Sequence, residues 1–226
     1  RSGRGMLHVC TGCYSTLKSV NSKMNAYPKI MDEVNRVLDS LGLRVSGRCE
    51  IKHIVEFFHD DLGYRKVREK VKRPLEGIRI AVHGGCHLVR PSRAIHFDDP
   101  VKPAKYDRLV EWIGARSVYY STKMMCCGGY LDRTGQHPRT LHMASVKLRE
   151  LSSIGVDAIT TTCPECFKVY DNYQFLLRKE YPEFNIPVLT LQELMALSFG
   201  FSPDELGLDQ HRINTSQFVE KLNRRK

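Results

Sequence analysis

Five cysteines in the second half of the chain have the type and spacing that point most directly to chemistry. They are Cys86, the adjacent pair Cys126 and Cys127, and the pair Cys163 and Cys166. Adjacent cysteines are awkward partners for a disulfide, because their Cα atoms are too close and too constrained to bridge easily. Three separated segments that contribute thiolates together suit a compact inorganic core instead. The pattern therefore favours an iron–sulfur cluster.

Two other uses of these cysteines remain open from the spacing alone. Any four of the five would serve as the ligands of a structural zinc site, since CxxC is a common half-site, but tetrahedral zinc leaves the fifth cysteine unused. Cys163 and Cys166 alone have the pattern of a dithiol redox centre. Iron with acid-labile sulfide would indicate the cluster, whereas colourless protein containing zinc would indicate a structural metal-binding module.

The composition is that of an ordinary globular protein, with 226 residues of which 42% are hydrophobic and 27% charged. Eight cysteines are too sparse for a disulfide scaffold, and the sequence contains neither a membrane-span-length apolar stretch nor a signal-peptide pattern. We therefore expect a cytoplasmic protein with no membrane span. The formal net charge of +10 suits an acidic partner protein or a small anionic substrate. Nucleic acid is not an expected partner, because no recognised binding motif accompanies the charge.

Short strands and helices must position the cysteines. A strand is predicted just before Cys10 and Cys13, followed by a helical pattern over 14–41, which Pro28 divides, and by a second helical region over 53–71. Further strands are predicted over 78–82, 117–120, 157–162 and 187–189. Further helices are predicted over 106–113, 139–154, 164–181 and 192–198.

Three of the predicted strands end near one of the cysteine groups, and a helix follows each of them. Alternating strands and helices indicate a parallel sheet of the α/β class, with helices on the sheet faces. Ligands of such sheets bind beyond the carboxyl ends of the strands. We therefore expect the five cysteines to converge at that edge of the sheet.

The order Cys…CysCysGly…CysxxCys over residues 86–166 resembles the cysteine-rich CCG domain. The segment 83–92, His-Gly-Gly-Cys-His-Leu-Val-Arg-Pro-Ser, is similar to the first-cysteine loop of the B subunit of heterodisulfide reductase. Residues 11–17 and 201–208 resemble other signature segments of that family, so the matches span nearly the whole chain. Related CCG domains also occur in lactate-oxidising and succinate- or fumarate-linked redox systems. An electron-transfer subunit of a lactate-, succinate- or sulfur-linked oxidoreductase is therefore the alternative.

The resemblance implies two domains and a cofactor. Residues 1–73 correspond to a partial first CCG domain and helical connector, a mainly helical remnant, and residues 74–226 to a complete α/β CCG domain with a parallel sheet. The family holds a noncubane [4Fe-4S] cluster through five cysteines. By this resemblance the ligands are Cys86, Cys126, Cys127, Cys163 and Cys166.

Cys10 and Cys13 match only the closing CxxC of a first motif, whose earlier cysteines are missing from this sequence. The resemblance makes them the remnant of a first cluster site. One cluster per chain is expected, and a second is possible if another source supplies the missing ligands. Cys49 lies in a predicted connector and is assigned no ligand role.

The resemblance further implies an oxidoreductase subunit that reduces the mixed disulfide of coenzyme M and coenzyme B, or a related disulfide. The implied partners are the ferredoxin-like (C) and flavin-containing (A) subunits of heterodisulfide reductase, which deliver the electrons. His87 is the candidate catalytic proton donor, because imidazole exchanges protons near neutral pH. Its alternative role is a hydrogen bond to a cluster sulfur or a backbone carbonyl. Arg90 is the candidate for binding the anionic substrate, since guanidinium groups bind anions through paired hydrogen bonds.

Overall fold

Short strands and helices alternate along the computed structural model of the chain, which describes residues 5–224. The strands are β1 Met6–His8, β2 Ile51–His53, β3 Arg79–His83, β4 Arg116–Ser117, β5 Ala158–Thr161 and β6 Val188–Thr190. The helices are α1 Thr11–Ala26, α2 Pro28–Asp39, α3 Ile54–Glu56, α4 Gly63–Lys70, α5 Ser92–Ile95, α6 Lys105–Trp112, α7 Gly129–Arg133, α8 His137–Ile154, α9 Pro164–Lys168, α10 Gln174–Leu177, α11 Leu191–Phe199 and α12 Ser216–Asn223. Further helical turns are the π-helical segments Phe57–Leu62 and Val169–Tyr173 and the 3-10 segments Cys86–Leu88 and Leu208–Gln210.

The larger sheet contains four parallel strands in the order β4-β3-β5-β6. Alternate side chains of β3 enter opposite cores, because Ile80 and Val82 join one hydrophobic cluster and Ala81 joins the other. Residues of α6 and α11 complete the first cluster, and residues of α8, α9 and α10 complete the second. A sheet buried on both faces by helices is what parallel strands require. The predicted α/β class is confirmed.

The predicted strands agree with β3, β5 and β6 to within a few residues, whereas β4 is shorter than predicted. Only Arg116 and Ser117 form ladder pairs, where a strand over 117–120 is expected. The chain leaves the sheet edge after this point, because the buried Tyr120 turns inward and its hydroxyl donates to the carbonyl oxygen of Val82 at 2.8 Å.

The helices agree with the predictions where they are long. α1 and α2 are separated as predicted, and Pro28 occupies the first turn of α2, where its missing N–H costs nothing. α3, the π-helical segment and α4 fill the second predicted region. α5 and α7 are not predicted, because four and five residues are too few to display a helical period clearly. Over residues 5–224, each helix is too short or too polar to cross a membrane.

A second, two-stranded sheet lies near the N-terminus. β1 pairs in parallel with β2, and His8 lies opposite His53. β2 is not predicted from the sequence, since three residues carry no readable alternation. The larger hydrophobic cluster contains Tyr14 and Val55 together with Ile80, and so draws on both sides of the predicted boundary at residues 73 and 74. The division into two domains stays a prediction.

The strand order places a crevice at the carboxyl edge of the larger sheet. β3 has β4 on one side and β5 on the other, so the connections that follow β3 and β5 leave in opposite directions. This reversal of strand order is where open α/β sheets bind ligands. Cys86 follows β3 and Cys163 follows β5, so both cysteines come to this point.

Glu150 of α8 fixes the start of the loop that carries Cys126 and Cys127. One carboxylate oxygen accepts a hydrogen bond from the amide of Ser121 at 2.5 Å, and the other accepts from the amide of Thr122 at 2.9 Å and from its hydroxyl at 2.6 Å. Burial raises the pKa of Glu150, but the hydrogen bonds outweigh it and lower the pKa to about 2. The carboxylate therefore ties α8 to this loop throughout the neutral range.

Replacing Glu150 with alanine is expected to lower the free energy of unfolding at pH 7 by about 1–2 kcal/mol, because three donors lose a charged acceptor. The folded-state pKa lies below the usual value of 4.5, so this contribution is complete above that pH and disappears as the pH falls towards about 2. Urea unfolding of both proteins at neutral and acid pH measures the difference. The control is Glu220→Ala, which removes an exposed carboxylate of α12. Equal stability of wild type and Glu150→Ala at pH 7 would contradict the assignment.

Candidate metal centre

All five late cysteines line one cavity of about 340 Å³ at the carboxyl edge of the sheet. Cys86 begins the 3-10 segment after β3, Cys126 and Cys127 lie just before α7, and Cys163 and Cys166 belong to the start of α9. The predicted convergence of the three cysteine groups is therefore observed. Cys127, Cys163 and Cys166 are buried, whereas the other two are half-buried.

The cysteine sulfur atoms approach one another in two pairs. Cys86 Sγ lies 4.0 Å from Cys126 Sγ, and Cys166 Sγ lies 3.3 Å from Cys127 Sγ. The amides of Gly128 and Gly129 point at the middle pair: Gly128 donates to Cys126 Sγ at 3.3 Å and Gly129 donates to Cys127 Sγ at 3.4 Å. Amides that face sulfur stabilise negative charge on it, as a thiolate ligand requires.

Gly128 makes this approach possible. Its φ of +86° lies in the left-handed region, and a Cβ at this position would lie 3.1 Å from the Cα of Thr140 in α8. Thr140 in turn donates its hydroxyl hydrogen to the carbonyl oxygen of Gly128 at 2.9 Å. Backbone conformation and close packing on α8 both require glycine after the cysteine pair.

The N-terminus of α9 presents the last two cysteines. Cys163 is the N-cap residue, Pro164 lies in the first turn as the sequence predicts, and Cys166 follows one turn from the cap. Proline is preorganised for this position, and the unpaired amides of a helix N-terminus favour negative charge. The same amides contribute to the low pKa of Cys163.

Hydrogen bonds among the thiols decide which of them ionise. The pKa of Cys163 is lowered to about 5, chiefly by the thiol of Cys166 and against the effect of burial. The pKa of Cys126 is held well below its usual value by the thiols of Cys127 and Cys86. The pKa values of the other three thiols, which donate these hydrogen bonds, are raised instead. These thiols belong to Cys86, Cys127 and Cys166. In the protein alone the five sulfurs share charge rather than ionise together, and a cationic core would allow all five to become thiolates.

His83 completes the buried wall behind the cysteines. A ring nitrogen of His83 lies within 4.8 Å of Cys127 Sγ and Cys166 Sγ. Nδ1 contacts Lys147, and Nε2 is buried with no hydrogen-bond partner in the part of the chain that the structure describes. Sulfur donors, inward-facing amides and an unpartnered buried ring nitrogen fit an iron–sulfur cluster.

The N-terminal pair lines the same cavity as the five late cysteines. Cys10 is half-buried and caps α1, and Cys13 is exposed one turn later. Thr11, between them, contributes a hydrogen bond that lowers the pKa of Cys163. Cys49 lies outside the cavity lining and packs against the larger hydrophobic cluster.

The two other candidate residues lie in different environments. His87 lines the cavity, and its ring centroid lies 5.2 Å from that of Tyr130 at an interplanar angle of 34°. Arg90 is exposed and does not belong to the cavity lining, although its carbonyl oxygen accepts a hydrogen bond from the hydroxyl of Ser15 at 3.1 Å. The structure therefore places His87, but not the side chain of Arg90, at the cavity.

Sequence reasoning missed Arg133 and Glu165 as partners at the cavity. Both line it, and Arg133 Nη2 lies 2.6 Å from Glu165 Oε1. The Arg133 guanidinium also lies 5.8 Å from the ring centroid of Tyr130. α7, which carries Tyr130 and Arg133, is too short to be predicted, so no sequence signal directs these side chains to the cavity.

Comparison with known proteins agrees with this geometry. The family model of the cysteine-rich CCG domain matches residues 80–169. The chain is 38% identical over 224 residues to the B subunit of the ferredoxin/F420H2-dependent CoB-CoM heterodisulfide reductase of Methanosarcina acetivorans, covering 98% of this chain and 74% of that protein. It is 37% identical, with the same coverage, to the B subunit of the ferredoxin:CoB-CoM heterodisulfide reductase of Methanosarcina mazei.

A solved structure shows the fold at low sequence identity. The crystal structure of a hypothetical protein from Helicobacter pylori has a TM-score of 0.63 and 17% identity to this chain, covering 86% of this chain and 35% of that one. The family assignment comes from the two Methanosarcina proteins, which share more than a third of their residues with nearly the whole chain. This chain belongs to the family of heterodisulfide reductase B subunits and contains its cysteine-rich CCG domain.

Proposed function

We propose that this chain is the iron–sulfur subunit of a heterodisulfide reductase and reduces the mixed disulfide of coenzyme M and coenzyme B, or a related disulfide. The observation that carries the proposal is the convergence of five cysteines on one cavity in a chain of this family. The proposed cofactor is one noncubane [4Fe-4S] cluster per chain. Its proposed ligands are Cys86, Cys126, Cys127, Cys163 and Cys166.

Reduction of a disulfide to two thiols consumes two electrons and two protons. A bound cluster supplies one-electron transfer and iron sites with affinity for sulfur. The protein supplies the thiolate ligands, the glycine amides that offset their charge and a cavity that holds the substrate beside them. The proposed partners, the ferredoxin-like (C) and flavin-containing (A) subunits of the reductase, supply the electrons.

His87 is the proposed donor of a proton to a departing sulfur atom. Its ring lies in the cavity wall against Tyr130, which restricts its orientation. Imidazole transfers protons readily near neutral pH, and a thiol with a pKa of about 8.5 holds the proton it receives. This role concerns the substrate sulfur rather than the metal ligands.

Arg133 is a stronger candidate than Arg90 for binding an anionic group of the substrate. Arg133 lines the cavity, and its contact with Glu165 positions the guanidinium there. Arg90 lies just after Cys86 and His87 in the chain, but it is exposed and does not line the cavity. An anionic substrate held in the cavity would therefore contact Arg133 rather than Arg90.

Cys10 and Cys13 are the proposed remnant of a first cluster site. They line the same cavity as the other five cysteines, so a second cluster held partly by them would lie beside the first. The remaining ligands of that cluster would have to lie outside residues 1–226. This arrangement would let two one-electron centres act on one disulfide.

Replacing any of the five proposed ligands with serine is expected to abolish or destabilise the cluster. Anaerobically purified wild-type protein should contain about four irons and four sulfides per chain, as a [4Fe-4S] cluster requires. Cys127→Ser should lose most of both, whereas Cys49→Ser should retain them, because Cys49 lies outside the cavity. Chemical analysis of iron and sulfide, together with an EPR spectrum, distinguishes these results. Zinc without sulfide in the wild type would refute the proposal.

His87→Asn is expected to lower turnover by roughly a hundredfold, in the range attributed to general acid catalysis, while iron and sulfide stay unchanged. The matched control is His96→Asn, since His96 is exposed near the same loop and outside the cavity lining. Its φ of +48° is a conformation that asparagine tolerates well. Turnover of His87→Asn at the wild-type rate would end the catalytic assignment.

Arg133→Gln is expected to raise the KM for the anionic disulfide about fivefold with little change in kcat, because an exposed ionic contact contributes about 1 kcal/mol. Arg90→Gln serves as the comparison and should change KM less. Steady-state kinetics with a fixed electron donor measures both parameters. A larger increase in KM for Arg90→Gln than for Arg133→Gln would contradict this assignment and indicate that Arg90 contacts the substrate.

A further inference from the structure

A lysine is fully buried behind the candidate metal centre. Lys147 lies on the inner face of α8, in the stripe that also contains Ala144 and Leu148. Among residues 5–224 no carboxylate forms an ion pair with it. Burying an ammonium group without an opposite charge is expensive, and an apolar side chain of similar volume would fill this position at lower cost. Packing alone therefore does not explain why this buried position is occupied by a lysine.

The contacts of Lys147 Nζ match those of an ammonium group. It lies 2.9 Å from His83 Nδ1, 3.0 Å from the carbonyl oxygen of Met125 and 3.2 Å from the carbonyl oxygen of Lys123. An ammonium group has three hydrogens to donate and no lone pair, so each hydrogen finds one acceptor. The ring centroids of Tyr120 and Tyr170 lie 5.4 and 5.8 Å away, within the range of cation–π attraction.

The lysine fixes the tautomer of His83. Because Nδ1 accepts a hydrogen from Lys147, the neutral ring must carry its own hydrogen on Nε2. A ring that accepts a hydrogen at Nδ1 and carries one hydrogen on Nε2 is the neutral form of histidine. Nε2–H is thus a buried donor without a partner in the described chain, on a ring that lies against Cys127 and Cys166.

Tyr170 holds the ring in this orientation. Its ring meets that of His83 edge to face, with centroids 4.9 Å apart and an interplanar angle of 79°. Tyr170 belongs to the π-helical segment that continues α9, the helix that begins with Cys163 and Cys166. π-helical turns are frequent at functional sites. The same continuous helical region therefore supplies two cysteines and the side chain that positions the histidine behind them.

We propose that Lys147 is the permanent counter-cation of the metal centre and that His83 connects it to the sulfur atoms, with Nε2–H donating a hydrogen bond on the Cys127 and Cys166 side. Lys147 and His83 are positioning residues, and the inference rests on the proposed iron–sulfur function. Positive charge and hydrogen bonds to sulfur both favour the reduced, more negative state of a cluster. The pair therefore raises the reduction potential.

The electrostatic setting supports a charged lysine. Burial lowers the pKa of Lys147, and the nearby sulfurs of Cys166, Cys127 and Cys126, together with the Glu150 carboxylate, oppose that effect, which leaves the pKa at about 8. The three acceptors around Nζ match the same charged form. The negative charge on the sulfurs and the positive charge on the lysine stabilise each other, which gives the buried lysine a role that an apolar side chain could not fill.

The test is the midpoint potential of the cluster in the full-length protein, followed by EPR during an anaerobic redox titration. Lys147→Met and Lys147→Gln both remove the charge, and glutamine keeps amide hydrogens for the two carbonyl groups. Each is expected to lower the equilibrium constant for reduction at least tenfold, which is about 59 mV for a one-electron couple. The control Arg149→Met removes an exposed cation two residues away on the same helix and should leave the potential unchanged.

A second measurement detects the hydrogen bond itself, first in the wild-type protein and then in one variant. Electron–nuclear double resonance of the reduced cluster should detect a coupled proton that exchanges in deuterium oxide, and His83→Leu should remove it. Direct coordination of a histidine nitrogen would overturn the inference, as would wild-type potentials in both Lys147 variants at full iron and sulfide content. Wild-type protein without iron and sulfide would instead refute the proposed function, so the two failures are distinguishable.

Discussion

Mutual repulsion of clustered thiolates is the constraint on which this structure depends. Five cysteine sulfurs lie around one cavity, and two pairs approach to 3.3 and 4.0 Å. Thiolates at such distances would repel one another strongly. In the protein alone some of the thiols therefore stay protonated and donate hydrogen bonds to neighbouring sulfurs. The surrounding structure offsets negative charge in three ways: through the amides of Gly128 and Gly129, the N-terminus of α9, and the buried Lys147 behind His83.

The sheet topology explains how cysteines so far apart in sequence reach one place. Parallel strands deliver their carboxyl ends to the same edge, and the order β4-β3-β5-β6 opens a crevice between the connections that follow β3 and β5. α8 then anchors the remaining loop at two points, through Glu150 at its start and Thr140 at its end. Each cysteine group thus belongs to or adjoins an element that packs in one of the two hydrophobic clusters.

Cysteine spacing and strand periodicity were sufficient to predict the parallel sheet and the convergence of Cys86, Cys126, Cys127, Cys163 and Cys166, because both signals are local. The cavity wall could not be predicted, since Arg133 and Tyr130 lie on a helix of five residues with no readable period. Arg90 was chosen from the sequence because it follows Cys86 closely, but closeness in sequence does not fix the direction of a side chain. Lys147 could have been noticed in the sequence, because it is a charged residue within the apolar stripe of α8.

The N-terminal segment forms part of the cavity wall through tertiary contacts with the loops of the larger sheet. Gly85, with a φ of +81°, lies so close to Thr11 that a Cβ would stand 3.1 Å from the threonine hydroxyl oxygen, and it would also contact Cys163. Thr11, which lies between Cys10 and Cys13, is therefore packed against the loops that carry two of the late cysteines. Because α1 also belongs to the larger hydrophobic cluster through Tyr14, that cluster helps to hold this wall of the cavity in place. A metal bound by the late cysteines would thus be enclosed by a wall that the first residues of the fold provide.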